Sequence, residues 1–381
     1  MLSFWEKQSL LQADVIIIGS GIVGLSTALS IKNSAPHLRV LVLERNLLPT
    51  GASTKNAGFA CIGSLTEILD DLTKMGETEV LKLVELRMKG LRKLRARLGD
   101  DKIDYAENGS WELIRNTPQD KLAIEKAEMV NEKLRPILAG NAFEVFRYKE
   151  KRAEFGFDAQ QVEYLVKNNF EGELNTGKMM RCLIDLCFTK GIEIKTGCEV
   201  LKIEEEKEQV NIVVKDGKQE MNFKAMKVAI CTNAFTRQFY PELDIVPGRG
   251  QVLVTKPVTG LKFKGIYHFD KGYYYFRRLG DRILFGGGRN LDFEGERTTE
   301  FGFNEKIQKD LLNKLENLIV PGVKIEVEDW WTGIMAFGST KFPILMRQSP
   351  RICLGVRMGG MGVAIGSEVG EVLANLVTTQ M

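Results

Sequence analysis

The sequence is poor in histidine, has no closely spaced cysteines and contains no long apolar run, and each shortage excludes a class of protein. His37 and His268 are the only histidines in 381 residues, so a multi-histidine metal site is impossible and we expect no metal. The six cysteines lack any Cys-x-x-Cys spacing, which indicates reduced thiols and, with no secretory pattern in residues 1–13, a cytoplasmic protein. No segment reaches the roughly 20 apolar residues that cross a bilayer, so we expect no integral membrane segment.

An excess of charge of one sign is also missing. The 53 basic and 50 acidic residues leave a formal net charge of +3, so no broad positive field is available to hold nucleic acid. We therefore expect no nucleic-acid partner. A hydrophobic content of 44% and a charged content of 27% instead describe a globular protein with a large core that divides into two or three units.

The most informative segment follows the first apolar run. Residues 14–18 predict a strand, and they are followed by Gly19-Ser20-Gly21-Ile22-Val23-Gly24 and a helical pattern. Gly19 permits a sharp turn, Gly21 lets the backbone approach a pyrophosphate, and Gly24 lets the helix pack closely on the strand. The free amides of the helix start are then aimed at an anion.

A second predicted strand, residues 39–43, ends in Glu44. A carboxylate at this position accepts hydrogen bonds from both hydroxyls of an adenosine ribose and repels a 2′-phosphate. Arg45 either brackets the adenine or is simply a solvated arginine at a strand end. The pattern predicts a dinucleotide with an unphosphorylated ribose, and at this point both FAD and NAD remain open.

Two further segments offer bare backbone to a ligand. Residues 50–60 are almost all small or polar, so main-chain atoms must form the contacting surface there. Residues 355–362 form a glycine-rich turn that leads into a helical pattern. The positive end of that helix would stabilise negative charge on a bound cofactor; the same turn could also be only a packing feature of a C-terminal helix.

These motifs together resemble the FAD-dependent oxidoreductases of the D-amino-acid oxidase and glycine oxidase family. The resemblance rests on Gly-x-Gly-x-x-Gly, the strand-end Glu and the Gly-Ala-Ser-x-x-Asn-Ala-Gly of residues 51–58, and it recurs at 231–234, 283–287 and 359–363. It implies FAD as the cofactor. It also implies that FAD is not covalently bound, because residues 331–343, the segment in which sarcosine oxidases attach their flavin covalently, contain no cysteine. The cofactor-binding residues implied are Gly19, Gly21, Ile22, Val23, Gly24, Glu44, Arg45, Ser53, Asn56, Ala57, Gly58, Val200, Thr232, Asn233, Gly360, Met361, Gly362 and Val363.

The resemblance also implies an α/β fold with two domains. We expect a Rossmann-like FAD-binding domain formed by residues 1–65, 165–245 and 330–381, and a mostly antiparallel substrate domain formed by residues 66–164 and 246–329. Alternating patterns predict a three-stranded meander over 199–223 and antiparallel strands over 247–292. Helical composition covers 65–98, 119–138 and 179–188.

The substrate pocket is less well defined by sequence. Tyr273, Tyr275 and Arg277 share one face of a predicted strand and are our candidates for the catalytic pocket, although tyrosines in a sheet are more often ordinary packing. Amino-acid oxidising relatives carry a carboxylate-binding arginine where this chain has Met335, and a thioether cannot replace a guanidinium. Only Arg249, Arg277 or Arg278 could then compensate.

The sequence around Met335, Gly-x-Met-x-x-Gly-x-x-Lys-Phe-Pro, is most similar to γ-glutamylputrescine oxidase and its neighbours. Its lysine, Lys341, either lies at the flavin rim or is a surface residue. The resemblance implies oxidation of a C–N bond in a small-molecule amine or amino-acid-like substrate, by hydride transfer to flavin N5 and hydrolysis of the imine. Oxygen, a quinone or another protein would accept the electrons.

Three alternatives remain at this stage. An NAD-dependent dehydrogenase explains the first glycine motif but not the second. A non-catalytic or regulatory flavin-binding protein is consistent with the absence of a carboxylate-binding arginine at position 335. An oxidase acting on a modified RNA base has relatives in the family, but the balanced charge disfavours it. The oligomeric state is not predicted.

Overall fold

The computed structural model describes residues 2–217 and 219–379. The α-helices are α1 (Phe4–Leu10), α2 (Ile22–Ser34), α3 (Ala52–Lys55), α4 (Leu65–Lys74), α5 (Glu77–Leu98), α6 (Pro118–Glu125), α7 (Ala127–Leu138), α8 (Tyr148–Phe155), α9 (Thr176–Thr189), α10 (Glu305–Lys314) and α11 (Gly362–Thr378). Short 3-10 helices span Asp101–Ile103, Asn233–Gln238 and Arg289–Leu291, and a π-helical turn spans Leu315–Ile319.

The strands form two eight-stranded sheets and one small pair. They are β1 (Gln12–Ile18), β2 (Val40–Leu43), β3 (Phe59–Ala60), β4 (Ser110–Arg115), β5 (Phe143–Arg147), β6 (Val162–Asn168), β7 (Gly172–Glu173), β8 (Glu193–Lys195), β9 (Glu199–Glu205), β10 (Val210–Asp216), β11 (Gln219–Ile230), β12 (Val246–Thr255), β13 (Ile266–Phe269), β14 (Tyr274–Leu279), β15 (Arg282–Gly287), β16 (Val327–Phe337), β17 (Ile344–Arg347) and β18 (Ile352–Val356). Strands β3 and β7 form the small antiparallel pair.

The first large sheet has a parallel centre in the order β18-β11-β1-β2-β8. Along β1, Val15 and Ile17 pack on one face while Ile16 and Ile18 pack on the other, and all four are buried. A parallel strand covered on both faces needs such a continuous apolar run, which explains the sequence of this segment. Strand β11 continues beyond the parallel centre and pairs with β10, which pairs with β9, forming the predicted meander.

Small residues allow the helices on this sheet to approach one another closely. A Cβ atom built on Gly370 of α11 would lie 2.5 Å from the Ser26 Cβ of α2. A Cβ on Gly90 of α5 would lie only 2.1 Å from the carbonyl oxygen of Ala364. Helix α11 is therefore held between α2 and α5 at distances that only glycine permits, and this fixes where its N terminus points.

The second large sheet has the order β16-β12-β15-β14-β13-β4-β6-β5 and is antiparallel except for the β4–β13 pair. Its core is strongly aromatic; Tyr267 and Phe276 stack with ring centroids 4.7 Å apart. Strand β12 pairs with β16 so that Gly248 lies opposite Met335. This register places residue 335 at the edge of the cavity described below.

The predicted mixed α/β fold is confirmed, as are the antiparallel strands over 247–292, while the helical segment 65–98 is two helices that break at Met75-Gly76. The division into two domains stays a prediction. The strand pairing places β6 and β16 in the second sheet. The predicted boundaries at 165 and 330 instead assign most of both strands to the FAD-binding domain. Within residues 2–217 and 219–379, no helix has the length and apolarity to span a membrane.

Candidate active site

A cavity of about 630 Å³ opens at the carboxyl edge of the parallel strands. Ile18, Leu43 and Cys231, at or next to the ends of β1, β2 and β11, line it from the first sheet. Val252 and Met335 line it from the second sheet. The volume lies in the range of ligand and cofactor sites, and the carboxyl edge is where open α/β sheets bind nucleotides.

The first glycine motif makes the turn that its spacing predicts. Gly19 has a φ of 102°, which disfavours residues with a side chain. A Cβ on Gly24 would lie 1.9 Å from the Gly19 carbonyl oxygen, so the third glycine is required for α2 to pack against the turn. Gly21 lines the cavity, and the N–H of Ile22 donates to Ser53 Oγ at 2.9 Å, which joins this turn to α3.

Glu44 lies at the cavity wall directly after β2. Its Oε2 accepts hydrogen bonds from the N–H and the hydroxyl of Ser20, at 3.1 and 2.6 Å, and its Oε1 accepts from the N–H of Asn46. These bonds hold the carboxylate in one orientation and leave acceptor capacity for ligand hydroxyls. The Arg45 guanidinium stacks 4.3 Å from the ring centroid of Phe235, so this end of the cavity offers a flat, partly apolar wall suited to an adenine.

The small-residue loop is held by its own polar atoms. Asn56 accepts from the N–H of Gly58 at 2.9 Å and from the hydroxyl of Thr176 at 2.8 Å, and it donates to the Ser53 carbonyl. Gly58 has a φ of 77° and lies behind the cavity wall. The loop therefore presents a rigid backbone surface, as the sequence predicts, with the Asn56 side chain acting mainly as an internal brace.

The glycine-rich turn before α11 is built on Asn233. This residue adopts a φ of 50°, and its side-chain oxygen accepts from the N–H groups of Arg357 and Met358 at 3.0 and 3.3 Å. Helix α11 begins at Gly362, and among the described residues no side chain caps its N terminus. Its first amides and the positive end of the helix are therefore available to a ligand in the cavity.

The predicted cofactor-binding residues thus come together. All of them line the cavity except Gly24 and Gly58, which lie directly behind the wall. The glycine turns around Gly21 and Gly360, far apart in the chain, face the same space. An added Cβ at Gly21 would lie 2.9 Å from Ser53 Oγ, so a side chain here would crowd the loop that lines this part of the cavity. The arrangement fits a long dinucleotide.

The aromatic strand is placed partly as predicted. Tyr273 and Tyr275 line the cavity, while Tyr274 and Phe276 face the core of the second sheet. Burial raises the pKa of Tyr275 to about 12, so its phenol stays protonated and can donate a hydrogen bond throughout the neutral range.

Arg277 does not line the cavity, which corrects its predicted place in the pocket. Its guanidinium donates to the carbonyl oxygens of Ala57, Gly58 and Leu174, at 3.2, 3.3 and 2.8 Å, and pairs with Glu173. It holds the small-residue loop from behind. Strand alternation gave the correct face, but the loop covers that face at this position.

The other two arginines considered as replacements for a carboxylate clamp are also outside the cavity. Arg249 forms a two-point ion pair with the buried Glu296, and Arg278 donates to the carbonyls of Leu261 and Gly280. Besides Arg45, the arginine that lines the cavity is Arg289, directly after Gly286-Gly287-Gly288 at the end of β15. The sequence reasoning missed it, and the run of glycines before it was the only signal.

Lys341 lines the cavity and is held by acids. Its Nζ lies 3.1 Å from Glu67 and 2.7 Å from Asp71. Burial raises the pKa of Glu67, but Arg87 and Lys341 outweigh burial and hold it at about 2. Burial also raises the pKa of Asp71 despite its contact with Lys341. Lys341 is therefore part of a fixed charge network at the cavity wall, not an ordinary surface lysine.

A second cluster that the sequence did not predict joins Cys61, Glu171 and His268. Their ligand atoms lie within 4.8 Å of one another, with Cys61 Sγ 3.4 Å from His268 Nε2. The Glu171 carboxylate already accepts from the N–H groups of Ile62 and Gly63 and from Ser110. Burial raises the pKa of Cys61 and lowers that of His268, which favours the neutral form of each side chain.

A Rossmann-type sheet with two converging glycine turns is an arrangement that binds a dinucleotide cofactor. The chain belongs to the DAO family, described as FAD dependent oxidoreductase, whose model matches residues 14–376. Its cofactor is FAD, and the NAD-dependent alternative is wrong. No curated protein is significantly similar in sequence.

Solved structures of similar fold cover nearly the whole chain. L-proline dehydrogenase from P. horikoshii has a TM-score of 0.77 at 15% identity, covering 97% of this chain and 94% of that chain. Glycine oxidase from Geobacillus kaustophilus has a TM-score of 0.76 at 18% identity, covering 97% and 95%. Iminodiacetate oxidase from Chelativorans sp. BNC1 has a TM-score of 0.72 at 17% identity, covering 96% of both chains. At these identities the likeness shows the fold alone.

Proposed function

We propose that this FAD-dependent oxidoreductase oxidises a C–N bond of a small amine or amino-acid-like substrate. The observation that carries the proposal is one continuous cavity. The glycine turns at Gly19–Val23 and Gly360–Val363 line one part of it, and Tyr273 and Tyr275 line another. The structures named above are of enzymes called glycine oxidase, proline dehydrogenase and iminodiacetate oxidase, whose names support this substrate class.

The roles proposed for the chain follow from its geometry. The backbone of the two turns binds the diphosphate and the flavin, and Glu44 binds the adenosine ribose. Tyr275 donates to the substrate and its ring excludes water from the reacting carbon. When bound, FAD supplies the acceptor for the hydride that leaves the carbon next to the amine, and the imine product hydrolyses in water.

FAD is proposed to bind without a covalent link. Three cysteines, Cys61, Cys198 and Cys231, line the cavity. Burial raises the pKa of all three, that of Cys231 to about 12, so none is a thiolate nucleophile at neutral pH. Denaturation of the yellow protein should therefore release all of the flavin into the supernatant.

The test is anaerobic mixing of the purified holoprotein with a panel of primary amines, secondary amines and α-amino acids. Bleaching of the visible flavin bands by one class identifies the substrate. A cofactor that stays oxidised with every compound contradicts the proposal and supports a flavin-binding protein without turnover, which the missing arginine at position 335 would explain. The γ-glutamylputrescine oxidase-like assignment predicts that long ω-amines are the best compounds in the panel.

Readmission of oxygen to the bleached protein then identifies the acceptor. Rapid return of the oxidised spectrum indicates an oxidase, and slow return indicates a quinone or protein acceptor. We also propose a cytoplasmic location, supported by six cysteines that are all free thiols.

A further inference from the structure

We propose that Arg289 binds a carboxylate of the substrate and takes over the function of the arginine that is absent at position 335. This inference rests on the proposed amine-oxidising function and narrows it to substrates that carry an acidic group.

The Arg289 guanidinium lies beside the position where a clamp is missing. Gly248 lies opposite Met335 in the β12–β16 pair. A Cβ built on Gly248 would lie 3.3 Å from Arg289 Nη1 and 2.6 Å from Phe337 Cε2, so the glycine makes room for both side chains. Met335 Sδ is in turn 3.7 Å from the Cβ position of Gly360, in the turn that precedes α11. Arg289, which follows β15, therefore extends across Gly248 of β12 toward Met335 on β16.

Two aromatic rings hold the guanidinium in place. Its Cζ lies 4.0 Å from the ring centroid of Phe337 and 4.8 Å from that of Phe293. A planar guanidinium stacked in this way keeps its edge free for two parallel hydrogen bonds to a carboxylate, which an ammonium on a flexible stem cannot form.

Arg289 also differs from neighbouring cations in that no acid among the described residues forms an ion pair with it. Glu296 is close enough to favour its charged form, but that carboxylate is already held at two points by Arg249. Lys341 pairs with Glu67 and Asp71, and Lys74 and Lys271 both pair with Asp70. Burial lowers the pKa of Arg289, which reflects the cost of placing this charge away from water. A ligand carboxylate would offset that cost.

Two other cations in the cavity wall do not fill this role. Arg45 stacks on Phe235 next to Glu44, at the adenosine end. Lys55 lies on α3, where its Cβ is 2.9 Å from the Cβ position of Gly333, and its compact ammonium has no aromatic support among the described residues. Of the cavity cations, Arg289 alone combines a planar group, a rigid position and a place beside Met335.

The experiment measures ligand binding to oxidised holoprotein, so it does not depend on turnover. Acetate, propionate and benzoate are titrated against their uncharged amides while the visible flavin spectrum is recorded. The variants are Arg289→Met, Arg289→Lys and Arg297→Met. Arg297 is an exposed arginine on the same segment and serves as the matched control. Flavin content per chain and melting temperature establish that each variant is folded and loaded.

We expect at least one carboxylate to bind the wild type more than tenfold tighter than its amide. Arg289→Met should weaken carboxylate binding by about 10- to 100-fold, in line with loss of a charge-assisted bidentate contact, and leave amide binding unchanged. Arg289→Lys should retain part of the affinity, and Arg297→Met all of it. Equal carboxylate binding by wild type and Arg289→Met, or no preference for carboxylate over amide, would overturn the proposal.

Inorganic phosphate is used as a competing anion in a further titration. If it displaces the carboxylate at lower concentration than the carboxylate's own Kd, the carboxylate assignment is wrong. The two proposals can also fail separately. Arg289-dependent carboxylate binding with no bleaching by any amine removes the oxidase function but leaves the anion site. Turnover of α-amino acids with the same KM in wild type and Arg289→Met removes the anion site but leaves the oxidase.

Discussion

Gly21 lies where the first glycine turn faces the cavity, so a side chain there should interfere directly with cofactor binding. A Cβ there would lie 2.9 Å from Ser53 Oγ, and a larger group would fill the space between α2 and α3 where the backbone must approach a diphosphate. We expect Gly21→Val to purify without flavin, measured as the ratio of absorbance at 450 and 280 nm after gel filtration.

The matched control for that change is Gly76→Val. Gly76 has extended backbone, and a Cβ there would meet no atom within 4 Å, so the control should be as yellow as the wild type. A fully loaded Gly21→Val protein would refute the assignment of the first glycine turn to FAD.

Glu112 is a buried carboxyl whose ionisation should make stability depend on pH. Burial raises its pKa to about 7, although Ser64 and Thr66 donate hydrogen bonds that oppose this effect. Below the unfolded-state pKa, near 4.5, the group is protonated in both states and has no effect. As pH rises from there through 7, the unfolded state binds fewer protons than the folded state, and stability is lost.

The loss should amount to roughly 3 kcal/mol at most by pH 8. Glu112→Gln should remove this part of the pH dependence, so that the free energy of unfolding of the variant increases relative to that of the wild type as pH rises. Denaturant unfolding of FAD-saturated protein at pH 5 and pH 8 measures the difference. A wild type and a variant with parallel pH profiles would show that Glu112 does not titrate in this range.

Among the contacts between helices, the packing of α5 against α11 should affect the cofactor cavity most directly. A Cβ on Gly90 would lie 2.1 Å from the Ala364 carbonyl oxygen, so Gly90→Ala must push α11 outward. Overpacking of this kind costs about 1–3 kcal/mol. Because α11 begins at the glycine turn in the cavity, FAD affinity should fall with stability, which fluorescence titration of the apoprotein can measure.

The control lies in α9, which packs in the same hydrophobic core as α5. Gly177→Ala in α9 would place its Cβ 3.4 Å from Asn175 Oδ1, an ordinary contact, and should be neutral or stabilising by up to about 1 kcal/mol. A Gly90→Ala variant that behaves in the same way would mean that α11 does not position the cavity.

For the whole molecule, FAD should stabilise both large sheets together, because both line its cavity. At a free FAD concentration 100 times its Kd, linkage predicts a gain of about 2.7 kcal/mol in the free energy of unfolding. Hydrogen exchange should show added protection in α11 and in β12. Protection confined to the first sheet would mean that the second sheet does not contact the cofactor.

The sequence could predict the dinucleotide half of the site because backbone contacts require glycine, and glycine at fixed spacing is visible in a sequence. It could not predict Arg289, whose position depends on how β12 pairs with β16 and on the loop after β15. Alternation correctly placed Arg277 on the face of Tyr275, but it could not show that the loop at Ala57 covers that position. Cys61 and His268 are 207 residues apart, and only the fold brings them into contact.

Strand β11 lies between β1 and β18, which come from opposite ends of the described chain. The parallel centre of the first sheet therefore cannot close until the segment that carries the last glycine turn has left the ribosome. Pairings over such sequence distances form slowly, so the complete pocket forms only after β18 has joined the sheet. In a host that overproduces the protein, riboflavin supply and low growth temperature should decide how much of it is recovered coloured.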